Sequence, residues 1–372
     1  MCDVMALLGA VERLHRAGEP FLVATVVQVT GSSYRRPGAR MLLSRDRWVA
    51  GSVSGGCLEA DVMKRGWWRT RDGAALVKYD ATAQDAAQEE VRWGLGLGCD
   101  GVVNVLLERA QDGGVDPFAF FERCFREQKR GALATVFRSD ATGVAVGARV
   151  AWSRDGVEAD PIDPWARDEL ARACAVTFGS GKVTTVMLGR PDGSFEALVE
   201  PVRPPPRLFV CGAGHDAVPV AQMASTIGWE VIVCEPTARF ATRERFRHAN
   251  SVLGITPSAL VGQIDAADCA LAVLMGHDYE ADRTYLDALL RSGARYIGVL
   301  GPRRRTARML DEIGGVRSDP RVHAPVGLAL GAETPQEIAL AIVAEAQSVM
   351  AGAPATSLRE LPGPIHTPDR VL

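Results

Sequence analysis

Residues Arg207–Glu235 read RLFVCGAGHDAVPVAQMASTIGWEVIVCE, and this stretch decides the fold of the second half of the chain. Arg207–Cys211 is a short apolar run of strand length. Gly212-Ala213-Gly214-His215-Asp216-Ala217 follows at once and fits G-x-G-x-x-G/A. Val218, Val220, Ala221, Ala224 and Ile227 then recur at helical spacing until Gly228, and Glu230–Cys234 reads as a second strand finishing at Glu235. Strand, glycine turn, helix and strand in register form the dinucleotide fingerprint. Gly212 permits the tight turn, Gly214 lets backbone approach a pyrophosphate, and small Ala217 lets helix and strand pack closely. Together with His215 they line a phosphate cradle at a helix N-terminus. Glu235 stands about 20 residues on, where a carboxylate binds ribose hydroxyls. The pattern predicts NAD or another adenosine nucleotide rather than NADP. The open alternative is the same fold with an empty site, in which Glu235 is a solvated loop residue.

Working outward, the alternation continues. Ser251–Ile255, Ala270–Met275 and Tyr296–Leu300 read as further strands, with a helix over Tyr279–Arg291 and another starting after Gly301-Pro302-Arg303-Arg304-Arg305. Ligands of such sheets bind at the carboxyl ends of the strands, which makes His277, Asp278, Arg303 and Arg304 candidate ligand-binding residues. Asp278 also fits a plain helix N-cap, and the arginines also fit a solvated first turn. Thr334, Pro335 and Glu337 specify the start of the last helix by a capping box.

Pro204-Pro205-Pro206 marks a boundary, because three prolines forbid helix and interior strand. The expected organisation is an N-terminal α+β domain over 1–203, with a possible subdivision near 110. A Rossmann-like doubly wound parallel-sheet domain follows over 204–352, then an irregular tail over 353–372. In the first half the spacing predicts a helix near the N-terminus and strands at Phe21–Thr30, Met41–Ser44, Trp48–Val53, Ala75–Tyr79 and Val102–Glu108. It also predicts a helix over Leu58–Arg71. Beyond these come a helix over Pro117–Lys129, strands at Ala132–Phe137 and Val144–Trp152, a helix over Trp165–Phe178, and two final strands before the prolines. No internal repeat is evident.

Three glycine-bearing loops in this half carry candidate chemistry. Gly55-Gly56-Cys57 places a thiol at a helix start, where free N–H groups stabilise a thiolate. Gly94-Leu95-Gly96-Leu97-Gly98-Cys99-Asp100-Gly101 holds a second thiol. Gly31-Ser32-Ser33-Tyr34-Arg35-Arg36-Pro37-Gly38-Ala39-Arg40 adds hydroxyls and cations. Ser32, Ser33, Arg40, Gly55 and Gly56 are candidates for an anion-binding concavity with Cys57 and Cys99 at its rim. The alternative is that both cysteines are packing residues beside tight turns.

The remaining composition narrows the function classes. Of 372 residues, 23% are charged and the net charge is −3, so nothing in the global charge draws the chain to nucleic acid or an anionic membrane. No apolar run approaches the roughly 18 residues that a spanning helix needs. The N-terminal segment reads as an amphipathic helix, so a cytoplasmic location is expected. None of the eight cysteines forms a C-x-x-C pair, which suits neither a structural zinc site nor a disulfide framework. No metal site is expected.

GSSYRRPGARM, GSVSGGCLE, GLGLGC, VCGAGHDAVPVA, MGHDYEADRTYLDALL, YIGVLGPRRRTARML and HAPVGLALGAETPQEIA together resemble the XdhC/CoxI family, in family order and over most of the chain. The match is weakest over about 111–200. The resemblance implies a maturation factor that binds molybdenum cofactor (molybdopterin), assists its sulfuration with a cysteine desulfurase, and delivers it to a xanthine dehydrogenase-type molybdenum hydroxylase. It implies that Cys57 and Cys99 handle cofactor or sulfur. Tyr34-Arg35-Arg36, Asp100 and Ala217 depart from the family pattern. The competing reading is an NAD-dependent oxidoreductase with His277 as acid–base group, and a third is a scaffold in which nucleotide only regulates assembly. A homodimer is the default expectation.

Overall fold

The computed structural model describes residues 2–31, 33–56, 58–80, 101–110, 114–235, 242–314 and 319–360. Its contacts divide the chain into two compact units, Asp3–Arg203 and the residues from Pro204 onward.

In the first unit, α1 (Cys2–Ala17) leads into an antiparallel sheet of β1 (Leu22–Gly31), β2 (Arg40–Leu43), β3 (Trp48–Gly51), β4 (Ala75–Asp80) and β5 (Gly101–Arg109). Helix α2 (Glu59–Arg69) lies between β3 and β4, and the strand order is β3-β2-β1-β5-β4. Then α3 (Pro117–Arg126) leads into β6 (Gly131–Ser139), β7 (Arg149–Ser153), β8 (Gly156–Ala159), β9 (Thr184–Arg190) and β10 (Gly193–Val202). Helix α4 (Pro164–Ser180) lies between β8 and β9, and the order is β8-β7-β6-β10-β9.

The two sheets are copies of one topology, and this corrects the expectation of no internal repeat. The correspondence reaches single residues. Ala24-Thr25-Val26 on β1 matches Ala134-Thr135-Val136 on β6, Gly38-Ala39-Arg40 matches Gly147-Ala148-Arg149, and Ser44-Arg45-Asp46 matches Ser153-Arg154-Asp155. The backbone repeats too. Val26 N donates to Ala39 O and Gly38 N to Val26 O, while Val136 N donates to Ala148 O and Gly147 N to Val136 O. Both Gly38 and Gly147 sit at φ +92, where a β-carbon is strained. Each inner strand pair carries a register shift at the same place, at Val27 in β1–β5 and at Phe137 in β6–β10, the residue left without a cross-strand partner. A bulge re-aims the residue it carries. Val27 and Phe137 meet with Leu106 and Leu198 in one small buried cluster joining the sheets. The matching residues are few and separated by connections of different length, which is why the repeat escapes a reading of periodicity.

The core is layered accordingly. Leu7, Ala10, Val11 and Leu14 of α1 and Phe118, Phe121 and Cys124 of α3 share a cluster with residues of both sheets. The outer face of the first sheet packs on Val62 of α2, and that of the second packs on Ala166, Leu170 and Cys174 of α4. The strand expected over Val144–Trp152 is confined to β7. Before it the chain turns, with Val144 N bonded to Ala141 O and Ala148 N to Ala145 O. The short edge strand β8 had no periodic signal.

The second unit contains a six-stranded parallel sheet. It comprises β11 (Arg207–Cys211), β12 (Glu230–Cys234), β13 (Ser251–Leu253), β14 (Ala270–Leu274), β15 (Tyr296–Val299) and β16 (Val322–His323), ordered β13-β12-β11-β14-β15-β16. Strands buried on both faces read as continuous Val/Ile/Leu runs, and RLFVC, EVIVC and ALAVL do so. Helices α5 (Ala217–Thr226) and α9 (Pro335–Ala351) cover one face. Helices α6 (Pro257–Asp265), α7 (Tyr279–Arg291) and α8 (Arg303–Glu312) cover the other. The sequence reading missed α6, which opens on Thr256 as N-cap and Pro257 in its first turn. The capping box of Thr334 and Glu337 is present. The fold is therefore α/β, an α+β region with antiparallel sheets followed by a Rossmann-type parallel sheet.

Candidate functional site

In the first unit the glycine loop between β3 and α2 is built around a carboxylate. Glu59 is 1% exposed. It accepts from Val53 N at 3.0 Å, Ser54 N at 2.8 Å and Gly56 N at 3.1 Å, and from the Ser54 hydroxyl. Ser54 Oγ in turn accepts from Leu58 N at 3.1 Å. Successive backbone N–H groups in such a turn form an anion-binding nest. Here the anion is internal: the chain fills the nest with its own Glu59. These donors precede α2, so Glu59 fixes the loop over Val53–Gly56. The sequence reading quoted Glu59 only as the end of GSVSGGCLE. A carboxylate just after a Ser-Gly-Gly turn was the available signal.

The first and third loops come together. The Tyr34 ring lies over Gly55, with its Cγ 3.7 Å from where a β-carbon on Gly55 would stand. Gly55 and Gly56 are exposed, and Ser33 Oγ donates to Arg35 O at 2.8 Å. Arg40 does not fit its expected role. Its side chain is 5% exposed and grips Glu200, with Nη1 to Oε2 at 2.9 Å, so it is a buried structural cation rather than an anion receptor. Cys57, Cys99 and Ser32 lie outside the described residues.

Three other thiols are inert packing groups. Burial pushes the Cys124 thiol up to about 11 and the Cys174 thiol up to about 12. Cys211 and Cys234 are partners in register on β11 and β12, both buried, and the contact with Cys234 together with burial raises the Cys211 thiol well above its ordinary value. Thiols raised in this way stay protonated at neutral pH.

In the second unit, β11 and β14 are neighbours, while the helices that follow them, α5 and α7, lie on opposite faces. That is the topological switch point, where open α/β sheets hold their ligands. Gly212 and Gly276 follow these two strands. Gly212 sits at φ +119 with the Met275 backbone 2.8 Å from where a β-carbon would be, so only glycine makes this turn. The space beside Gly214 is already taken. A β-carbon there would stand 2.5 Å from Asp216 Oδ1 and 3.0 Å from His277 Nε2. His277 is exposed, and its Nε2 lies 3.9 Å from Asp216 Oδ1. Arg245 Nη2 donates to Gly214 O at 3.2 Å.

Asp216 is the residue that sequence reasoning passed over, as an unspecified x of the fingerprint. It occupies the N-cap position of α5 but makes no cap hydrogen bond, and its Oδ1 is buried without a hydrogen-bond partner. Pro219, in the first turn, removes one N–H from that helix end. A carboxylate over the glycine and a missing donor both oppose a pyrophosphate, so these residues do not fit a dinucleotide bound through this turn.

The other expected residues divide. Asp278 is the N-cap of α7, accepting from Ala281 N at 2.8 Å. Arg303 and Arg304 are exposed at the start of α8, while Arg305 pairs with buried Asp282 at 2.7 Å. Glu235, half-buried, follows β12, and His215 is exposed beside the turn. Among the described residues no group of His, Cys, Asp or Glu is placed to hold a metal ion. No described helix is long and apolar enough to cross a membrane.

Comparison with known proteins places this geometry. The sequence model of the XdhC Rossmann domain matches residues 208–346, and that of the XdhC and CoxI family matches 14–80. A Bacillus subtilis protein described as a probable subunit of xanthine dehydrogenase is 30% identical over 88% of this chain and 92% of its own length. The chain belongs to the XdhC and CoxI family. The molybdenum cofactor insertion chaperone PaoD of Escherichia coli is 24% identical over 91% of this chain and 86% of its own length. A crystal structure described as a xanthine dehydrogenase from Bacillus halodurans superposes with a TM-score of 0.71 at 26% identity, covering 97% of this chain and 98% of that one. The XdhC Rossmann match spans both the Gly212 turn and the His323–Glu345 region, and the family match spans the Gly55 loop.

Proposed function

We propose that this chain is an accessory factor that binds molybdenum cofactor and assists its sulfuration and insertion into a xanthine dehydrogenase or carbon monoxide dehydrogenase-type hydroxylase. The observation that carries this reading is similarity, over most of both chains, to an insertion chaperone and to a protein described as part of a xanthine dehydrogenase. The cofactor is cargo, passed on rather than kept. Cys57 and Cys99 are the groups assigned to hold it or its sulfur. Support comes from burial, which keeps Cys124, Cys174 and Cys211 protonated and so removes three of the eight thiols as candidates for this role. The partners are the client hydroxylase and a cysteine desulfurase, the setting is the cytoplasm, and the working form is a homodimer.

The test is retention of molybdopterin by the purified full-length chain, read by oxidation to a fluorescent pterin derivative, alongside activation of a cofactor-free hydroxylase. Wild type retains pterin and activates the client. Cys57→Ala and Cys99→Ala each lose retention or transfer. If neither variant changes either readout, the thiol assignment falls. If wild type retains no pterin, the whole reading falls.

A further inference from the structure

Helix α2 leaves one tryptophan in the open and holds a second half-buried next to it. Trp68 is 73% exposed, and Met63 and Lys64, about one turn earlier, are exposed with it. Tryptophan is highly buried on average, so an uncovered indole marks a surface that something else covers. Among the described residues the Trp68 indole N–H and the Lys64 ammonium have no partner. Trp67 is held in place. Its Nε1 donates to Ser44 O at 3.1 Å, and the guanidinium groups of Arg45 and Arg109 lie 5.6 and 5.4 Å from its ring centre.

The repeat supplies an internal control. Helix α4 holds the same place in the second copy, and both of its large aromatics are engaged inside the chain: Trp165 packs edge-on against Phe195, and Phe178 against Trp152. Its exposed face carries Arg167, Asp168, Arg172 and Val176, a mixture of both charge signs with no aromatic. One topology is thus built with and without an outward indole, so the fold does not require Trp68.

Charge describes what meets it. Both acids of α2, Glu59 and Asp61, are buried, whereas Lys64 and Arg65 are exposed and Arg45 stands beside Trp67. This helix face is positive on a chain whose net charge is −3. We infer that the outer face of α2 docks the client hydroxylase through an acidic surface of that protein, with an apolar notch for the Trp68 indole and an acceptor oxygen for its N–H. The choice of the client rests on the cofactor reading above, while the chemistry of the surface rests on the face itself. Tryptophan seated in a notch is the commonest kind of interface anchor, and rim cations speed the approach of an anionic partner. Glu59 opens α2 and holds the glycine loop, and Trp68 follows nine residues later, about 14 Å along the axis. A client seated on Trp68 therefore lies close to exposed Gly55 and Gly56. A second copy of the chain suits this face poorly, because a two-fold contact sets Lys64 and Arg65 near their own equivalents.

The experiment measures binding of the purified full-length chain to the cofactor-free client hydroxylase of the same organism by biolayer interferometry, at low and at high salt. Wild type is expected to bind, more weakly as salt rises. Trp68→Ala weakens binding by about tenfold or more, mainly through faster dissociation. Lys64→Glu slows association and flattens the salt dependence. Val176→Ala, on the matching helix of the second copy, leaves binding as it was. Circular dichroism confirms that each variant folds. Client binding unchanged in Trp68→Ala overturns the inference, as does an equal loss in Val176→Ala, and so does a wild type that does not bind the client. Sedimentation of the chain alone and binding to a cysteine desulfurase test the other occupants: if Trp68→Ala abolishes either association and spares the client, the assignment to the client falls. Molybdopterin retention separates the two proposals. If Trp68→Ala retains pterin and activates the client as wild type does, the cofactor reading stands and this docking surface falls. If wild type binds the client through Trp68 yet retains no pterin, the surface stands and the cofactor reading falls.

Discussion

Arg40 and Glu200 form a buried ion pair that ties the first five-stranded copy to the second. Its mirror is the pair of Arg149 and Glu108, at 2.5 Å, running the other way between the copies. The match extends to the glycines. A β-carbon on Gly38 would meet Glu200, and one on Gly147 would meet Glu108. Breaking a buried pair by removing one partner leaves an uncompensated charge and costs about 3–5 kcal/mol. Arg40→Ala is therefore expected to destabilise the chain by about that amount in urea unfolding. Arg40→Met combined with Glu200→Leu recovers most of the loss. A cost for Arg40→Ala below about 1 kcal/mol would show the clasp to be dispensable.

That pair also shows what sequence reading could reach. Arg40 stands in a glycine-rich loop with other cations, and from spacing it reads as an anion receptor. Its partner lies on β10, far along the chain, and only the pairing of two sheets brings it near. The parallel sheet was legible because each strand is a continuous apolar run and each helix has its own start signal. Asp216 was not legible. The fingerprint specifies glycines and leaves the intervening positions open, while the character of the site turns on which way one of those side chains points. Glu59 was similarly hidden, since its neighbours suggested a ligand nest and the nest is filled from within.

Glu59 offers a sharper test of the loop. Glu59→Gln keeps the size but sets an amide N–H₂ against at least one of the N–H groups of Val53, Ser54 and Gly56. A hydrogen bond to a charged group contributes about 1.5–3 kcal/mol, and a donor facing a donor adds a penalty. The expected loss is about 2–4 kcal/mol in chemical denaturation, with faster proteolysis at Ser52–Leu58. Ser54→Ala, which removes one of the bonds to Glu59 and the hydroxyl acceptor of Leu58 N, costs about 1–2 kcal/mol. Equal effects of the two substitutions would contradict the central place given to the carboxylate.

The buried thiols predict an alkaline limb of stability. Cys124 and Cys174 are pushed up to about 11 and about 12, while an unfolded thiol ionises near 8.5. Between these values the unfolded chain has lost the proton and the folded chain has kept it. The contribution is complete below the unfolded pKa and is lost as pH rises towards the folded one. Each such thiol subtracts about 1.4 kcal/mol per pH unit in that window. Cys174→Ala should therefore show a shallower fall of unfolding free energy between about pH 9 and 11 than wild type. Parallel curves for the two proteins would mean that Cys174 does not stay protonated in the fold.

The last prediction concerns the sheet edge, where Tyr296, His323 and Glu345 join β15, β16 and α9. Glu345 Oε2 accepts from the Tyr296 hydroxyl at 2.6 Å and from Gly327 N at 3.0 Å. The Tyr296 and His323 rings lie 4.7 Å apart. Burial and the bond to Glu345 raise the tyrosine well above its ordinary value, so it remains a donor throughout the working range. Tyr296→Phe keeps the ring contact and removes one of the two donors to a carboxylate that still has Gly327. It should cost about 1–2 kcal/mol in urea unfolding of the full chain. Glu345→Ala orphans both the hydroxyl and the Gly327 N–H and should cost about 3 kcal/mol or more. If Glu345→Ala were the milder change, the carboxylate would not be what anchors the His323–Gly327 turn to α9, and the hold on that segment would have to come from apolar packing alone.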